Sequence, residues 1–200
     1  CTPRVLSTAM QSFAIDPNAF FATVAMHLGP ANQSISINEG YSQAMEDTLL
    51  AQCNWKEDGY QLFTIAGSFA DNSGGWFGCL WESNCFALSK QRYLESGGLD
   101  ARFVSPGGGL MNLDFFRRMV SDSQGEYFLA LGEATFHQVH GGISTNANSI
   151  SHPWDHFMRE YIQLRGVSLH RFVRQPTLIG SLPAQARAAA SFSMQKSVQA

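Results

Sequence analysis

Residues 82–120 read ESNCFALSKQRYLESGGLDARFVSPGGGLMNLDFFRRMV, and residues 132–142 read GEATFHQVHGG. Asn84 to Leu88 is a short β-prone run. Ser89 then offers its hydroxyl as an N-cap, with Leu88 and Tyr93 spaced as a hydrophobic staple. The helix so opened ends at Gly97-Gly98, where glycine suits a left-handed C′ position. Pro106-Gly107-Gly108-Gly109 makes a loop. Asn112 can cap a second helix running to about Val120. Glu126–Leu131 and Ala134–Val139 then read as two short strands. Strand, helix, loop, helix, strand is the grammar of an α/β layered domain.

The flanking sequence agrees. Val5–Ile15 carries apolar residues at helical spacing and stops at Asp16-Pro17. Ala19–Met26 (AFFATVAM) is a buried strand that His27-Leu28-Gly29-Pro30 breaks. Glu39–Gln52 is helical, with Met45, Leu49 and Leu50 on one face. Gly59–Phe69 is strand-like, and Asp71 to Gly75 is a turn cluster. After Gly141-Gly142 comes a polar loop, and Pro153–Leu164 reads as a helix with proline in its first turn. Residues 1–180 form one domain. Residues 181–200, rich in Ala, Ser and Gln, read as a tail or a marginal surface helix.

With 44% hydrophobic and 14% charged residues among 200, the chain can fill a core. A net charge of −3 and no basic stripe argue against nucleic acid. No apolar run is long enough for a membrane span. Cysteines 1, 53, 79 and 85 match no zinc spacing and form no CxxC. They read as reduced thiols of a cytoplasmic protein, with a disulfide pair as the alternative. A start at Cys1 and no leader pattern suggest a processed or truncated chain.

The segment 82–142 resembles the C-terminal, acceptor-side half of family 2 glycosyltransferases. Those enzymes carry a helix ending in Gly-Gly-Phe-Asp-Glu and a glycine-rich turn. A Glu-Asp-x-Asp-Leu helix start with an arginine after it follows, then a late His before Gly-Gly. Gly97-Gly98-Leu99-Asp100 resembles the first element, Asp114 with Arg117 and Arg118 the acidic helix, and His137 or His140 with Gly141-Gly142 the last. His27-Leu28-Gly29-Pro30, Gly40-Tyr41 and Glu46-Asp47 resemble a bacterial subgroup. The resemblance implies a GT-A-like three-layer α/β/α sandwich with a mixed sheet, present here in part. It implies transfer of a sugar from a nucleotide-sugar donor to a glycan or other hydroxyl acceptor. Inversion and a divalent cation, Mn²⁺ or Mg²⁺, are implied with it.

Two departures stand out. The Glu-Asp pair falls on Met111-Asn112, and an amide cannot take a proton from an acceptor hydroxyl. Either another carboxylate serves, such as Asp114 or Glu82, or the chain is a variant with altered chemistry. The Asp-x-Asp that binds nucleotide and cation in the family is not in this sequence, so the chain alone is expected to bind sugar nucleotides weakly. A non-catalytic carbohydrate-binding or interaction module is therefore the alternative. A metal-dependent hydrolase built on His137 and His140 is a third reading.

Each candidate has a structural reading beside the functional one. Asp114 near a helix start suits the helix dipole. Asn112 suits a cap, and Asp100 suits backbone N–H groups after a turn. Glu82 is either a sugar-hydroxyl ligand or a solvated rim residue, and Trp76 either a stacking platform or core. Gly108 and Gly109 let backbone pass close to an acceptor or move as a lid, and Arg118 is placed at the substrate by the resemblance. Three apart on a regular strand, His137 and His140 face opposite ways. His137 is then expected to face the cation and diphosphate, and His140 to shape the turn.

Overall fold

The computed structural model describes residues 1–70, 72, 74–140, 153–171 and 174–197. The helix α1 (Val5–Ile15) buries Val5, Thr8, Ala9 and Ser12, one stripe at helical spacing. It leads into β1 (Phe20–Leu28), which is buried along its whole length. Then come α2 (Gln33–Asn38), α3 (Gln43–Gln52), β2 (Ala66–Ser68), β3 (Phe86–Ala87), α4 (Lys90–Glu95) and α5 (Met111–Ser121). The remainder is β4 (Tyr127–His137), α6 (Trp154–Arg165), β5 (Thr177–Gly180) and α7 (Arg187–Ser197).

The sheet is mixed and open, in the order β2-β1-β4-β5, with β3 also paired to β1. β1 runs parallel to β4, and β4 parallel to β5. Both β2 and β3 run antiparallel to β1, at His27–Leu28 and at Phe21–Ala22 respectively. Alternation along β1 feeds two cores. Phe20, Ala22, Val24 and Met26 join Phe115, Phe116 and Met119 of α5 and Ala190 of α7. Phe21, with Phe128 and Ala130 of β4, joins Val5 and Ala9 of α1. Helices therefore cover both faces. A third cluster, Phe103, Leu110, Phe157, Tyr161 and Leu169, seats α6.

Several elements differ from the sequence reading. Residues 39–52 do not make one helix, because Gly40 adopts φ 95° between α2 and α3. Gly59–Thr64 is a 3₁₀ helix rather than a strand. Asp58 nucleates it by accepting from the Tyr60 N–H at 3.0 Å and the Gln61 amide at 3.2 Å. The two short strands at 126–139 are one, β4, carried through a bulge at Gly132, φ 78°. The register against β1 shifts there, from Leu129 opposite Ala22 to Ala134 opposite Val24. The C-terminal stretch is not a loose tail through residue 197. Ala186 and Ala190 lie in the main core, and the Ser193 hydroxyl reaches the Gly74 carbonyl.

The four cysteines are unpaired thiols. Among the described residues, no helix is long and apolar enough to cross a membrane. The Gly141-Gly142 pair and the polar loop after it lie outside the described residues, as do two residues of the turn expected at 71–75.

Candidate functional site

The carboxyl ends of parallel strands are where α/β sheets gather ligands, and here β1 and β4 end on a histidine pair. His27 and His137 are register partners, with ring centroids 5.5 Å apart. His137 is the last residue of β4, so the backbone leaves the strand before His140. The imidazoles consequently do not diverge: His137 Nε2 lies 3.1 Å from His140 Nε2. The sequence reading of opposite faces, with His140 confined to the turn, is corrected by this departure from strand geometry. Burial, then the nearby His140, holds His137 below the usual imidazole value, so it is neutral at pH 7.

The pair is held by residues that carried no motif signal. Gln33, 1% exposed at the start of α2, donates its backbone N–H to His27 Nδ1 at 3.0 Å. Its side-chain amide donates to the Gln138 carbonyl at 3.3 Å and turns Oε1 toward His137 Nδ1 at 2.5 Å. Glu46, buried on α3, accepts the Val139 N–H at 2.9 Å. Desolvation raises the Glu46 carboxyl above its ordinary value.

A cleft of about 460 Å³ opens at the same strand ends, lined by Leu28, Phe136 and Gln138, which alternate with His27 and His137, and by Trp55, Lys56 and Cys1; none of the three histidines lines it. It falls within the size range of small-ligand sites.

A second group stands about four residues, roughly 13 Å, back along β1. Ser83 bonds Thr23 there, its hydroxyl donating to the Thr23 carbonyl at 2.8 Å. Asn112 does not cap α5, which begins at Met111 with no side-chain cap. Its amide instead donates to Glu82 Oε2 at 2.8 Å and to the Ser83 carbonyl at 3.4 Å. The structure thus brings Glu82 and Asn112 together.

Asp114 is placed differently. It is 2% exposed, and both its oxygens are taken by arginine. Arg165 reaches Oδ1 and Oδ2, each at 2.7 Å, and Arg118 reaches Oδ2 at 3.0 Å. Burial, the largest single influence, raises its proton affinity. The hydrogen bonds and charges of Arg165 and Arg118 outweigh burial, and the net shift is downward. Arg118 also donates to the Ser96 and Gly98 carbonyls at 2.7 and 2.5 Å, which ties α5 to the end of α4. Asp100 pairs with Arg102 at 2.6 Å and Arg165 at 2.8 Å. Those hydrogen bonds, Arg102 first, hold its carboxyl well below the ordinary range. A shallow pocket of about 550 Å³ opens over Asp100, Arg102, Arg118 and Arg165.

Trp76 is 1% exposed, donates Nε1 to the Glu133 carbonyl at 3.2 Å and packs on Phe63 and Phe69. It is core, with no ring face left for a sugar. Gly108 and Gly109 hold φ of 84° and 53° in a loop whose Val104 and Ser105 N–H groups bond Glu160 of α6 at 2.8 and 2.9 Å. That loop is tethered to α6.

Could a divalent cation fit? Two nitrogens bound to one first-row ion, each about 2.1 Å from it, stand about 3–3.4 Å apart. The His137–His140 spacing is compatible with this. Among the described residues, however, no group of three or more His, Cys, Asp or Glu is placed to hold a metal. The described residues supply two ligands at most from this set, and water or a bound anion would supply the rest. Neither a protein-family model, nor a curated protein, nor a solved structure matches the chain.

Proposed function

We propose that the chain carries the acceptor-side part of a GT-A-like glycosyltransferase site that moves a sugar from a nucleotide-sugar donor to an acceptor hydroxyl. The observation that carries the reading is the 3.1 Å approach of the His137 and His140 imidazoles at and just past the carboxyl end of β4. The two Nε2 atoms would hold a Mn²⁺ ion, whose charge would offset that of the diphosphate.

Glu82 is the residue for the acceptor. Asn112 cannot accept a proton, and both Asp114 oxygens are engaged by arginine. The Glu82 carboxylate, oriented by the Asn112 amide, takes the proton of the acceptor hydroxyl. That oxygen forms its bond to the anomeric carbon as the bond to the diphosphate oxygen breaks. The chain alone is expected to hold sugar nucleotides weakly, since the family's Asp-x-Asp is not in it.

Transfer or hydrolysis of radiolabelled sugar from a panel of UDP-, GDP- and CDP-sugars with Mn²⁺ tests the reading. The Glu82→Gln variant should lose about 10²–10⁴-fold in rate. Sugar binding with no turnover in the wild type would favour a carbohydrate-binding module instead. Full activity in Glu82→Gln would remove Glu82 from the role.

A further inference from the structure

We infer that Gln33 is a positioning residue that fixes the tautomer of His137, placing its ring proton on Nδ1 and leaving Nε2 as the electron-pair donor. The argument starts from the amide. Gln33 Nε2 has hydrogens only to donate, and it faces the Gln138 carbonyl at 3.3 Å. The opposite end of the same planar group, Oε1, can only accept, and it faces His137 Nδ1 at 2.5 Å. Reversing the amide would set an oxygen against the Gln138 carbonyl and an NH₂ against the ring. Nδ1 must therefore carry hydrogen, and a neutral imidazole with Nδ1–H has its lone pair on Nε2.

Gln33 is itself held. It is 1% exposed, and its backbone N–H is bonded to His27 Nδ1 at 3.0 Å. That bond requires an Nδ1 lone pair on His27, so one residue assigns opposite tautomers to the two register-paired histidines. Nε2 of His137 then points at His140 Nε2, 3.1 Å away, and accepts from it or binds in common with it. Free histidine favours the other tautomer, with hydrogen on Nε2, so the buried amide makes the difference. Partners of this kind typically change ligand affinity about 10–100-fold when removed.

The inference deepens the proposed role of the histidine pair, but the tautomer is read with no cation or sugar present. Long-range ¹H–¹⁵N correlation spectra of the whole chain at pH 8 report which His137 nitrogen is protonated. The expected result is Nδ1–H in the wild type. In Gln33→Met, with an otherwise native amide spectrum, the Nε2–H form should appear. Nε2–H in the wild type would overturn the assignment, and this arm needs no variant to fold. Unchanged Nδ1–H in folded Gln33→Met would overturn the role of Gln33. Titration with Zn²⁺ alone separates the two readings. About 10-fold weaker binding in Gln33→Met supports the positioning role. Absent binding in an Nδ1–H wild type contradicts the cation reading and leaves the tautomer assignment standing.

Discussion

Replacing Asp114 by Asn removes the one charge that Arg165 and Arg118 converge on. The carboxylate is 2% exposed, while the Arg165 and Arg118 side chains are 20% and 29% exposed. Breaking a buried pair costs roughly 3–5 kcal/mol because a charge is left without its partner. Partial solvation of the arginines, the Asp100 carboxylate that Arg165 keeps at 2.8 Å and the one oxygen that Asn retains place the expected loss at the low end, about 3 kcal/mol. With a urea m value near 2 kcal/mol/M, the unfolding midpoint should fall by about 1.5 M. The loss should also depend on pH. The folded-state carboxyl lies below its ordinary value of 3.8, so its contribution is present above that value and is lost as pH falls through the depressed one. Wild type and variant should therefore converge in stability only below pH 3.8, as pH falls through the depressed folded-state value. Arg165→Met should cost a similar amount, and the double variant less than the sum. A midpoint unchanged at pH 7 would refute the structural account of Asp114. Retained stability with lost sugar transfer would return the carboxylate to the chemistry.

Trp76→Ala should cost about 3–5 kcal/mol in urea unfolding, as for other large core aromatics, and should not change sugar affinity beyond that explained by unfolding. Gly132→Ala should destabilise by more than the usual glycine-to-alanine effect. Its φ is 78°, and an added Cβ would stand 2.4 Å from the Ser181 carbonyl oxygen; a midpoint equal to wild type would show that the bulge can relax. His137 is held below 6.5 by burial and by His140. Its contribution is thus present above pH 6.5 and lost as pH falls toward the lower folded-state value. The unfolding midpoint should drop between pH 7 and 5 more steeply in wild type than in His137→Gln.

What the sequence disclosed follows from how local each signal is. α1 was legible because its apolar spacing and the Asp16-Pro17 stop lie within one segment, and the helix spans the same residues in the structure. β1 was legible as an unbroken apolar run, the mark of a strand buried on both faces, but it runs on through His27 and Leu28, where the sequence reading broke it. The Ser89 cap was legible too: its hydroxyl accepts the Arg92 N–H at 3.1 Å. The strand read over Gly59–Phe69 holds only at β2, Ala66–Ser68; over Gly59–Thr64 β-prone residues are overridden by Asp58, whose carboxylate turns the chain into a 3₁₀ helix. The site was legible only in its histidines. Which way they face depends on β4 ending at His137, a tertiary fact. Gln33 and Glu46 act across more than 90 residues, on Gln138 and Val139, and no window of sequence contains both partners. Asp114 read as a base or a dipole partner because Arg165 lies 51 residues on, beyond any local pattern.

The central claim is that His137 and His140 act together on one divalent cation beside a nucleoside diphosphate. Electron paramagnetic resonance of free Mn²⁺, titrated with protein in the presence of UDP or GDP, measures it directly. The account predicts that the wild type depletes the free-ion signal and that His137→Ala and His140→Ala each weaken binding about 10-fold or more. His27→Ala should have a smaller effect, since His27 Nδ1 is engaged by Gln33. Equal depletion by wild type and both alanine variants, or loss in His137→Ala alone, would contradict it.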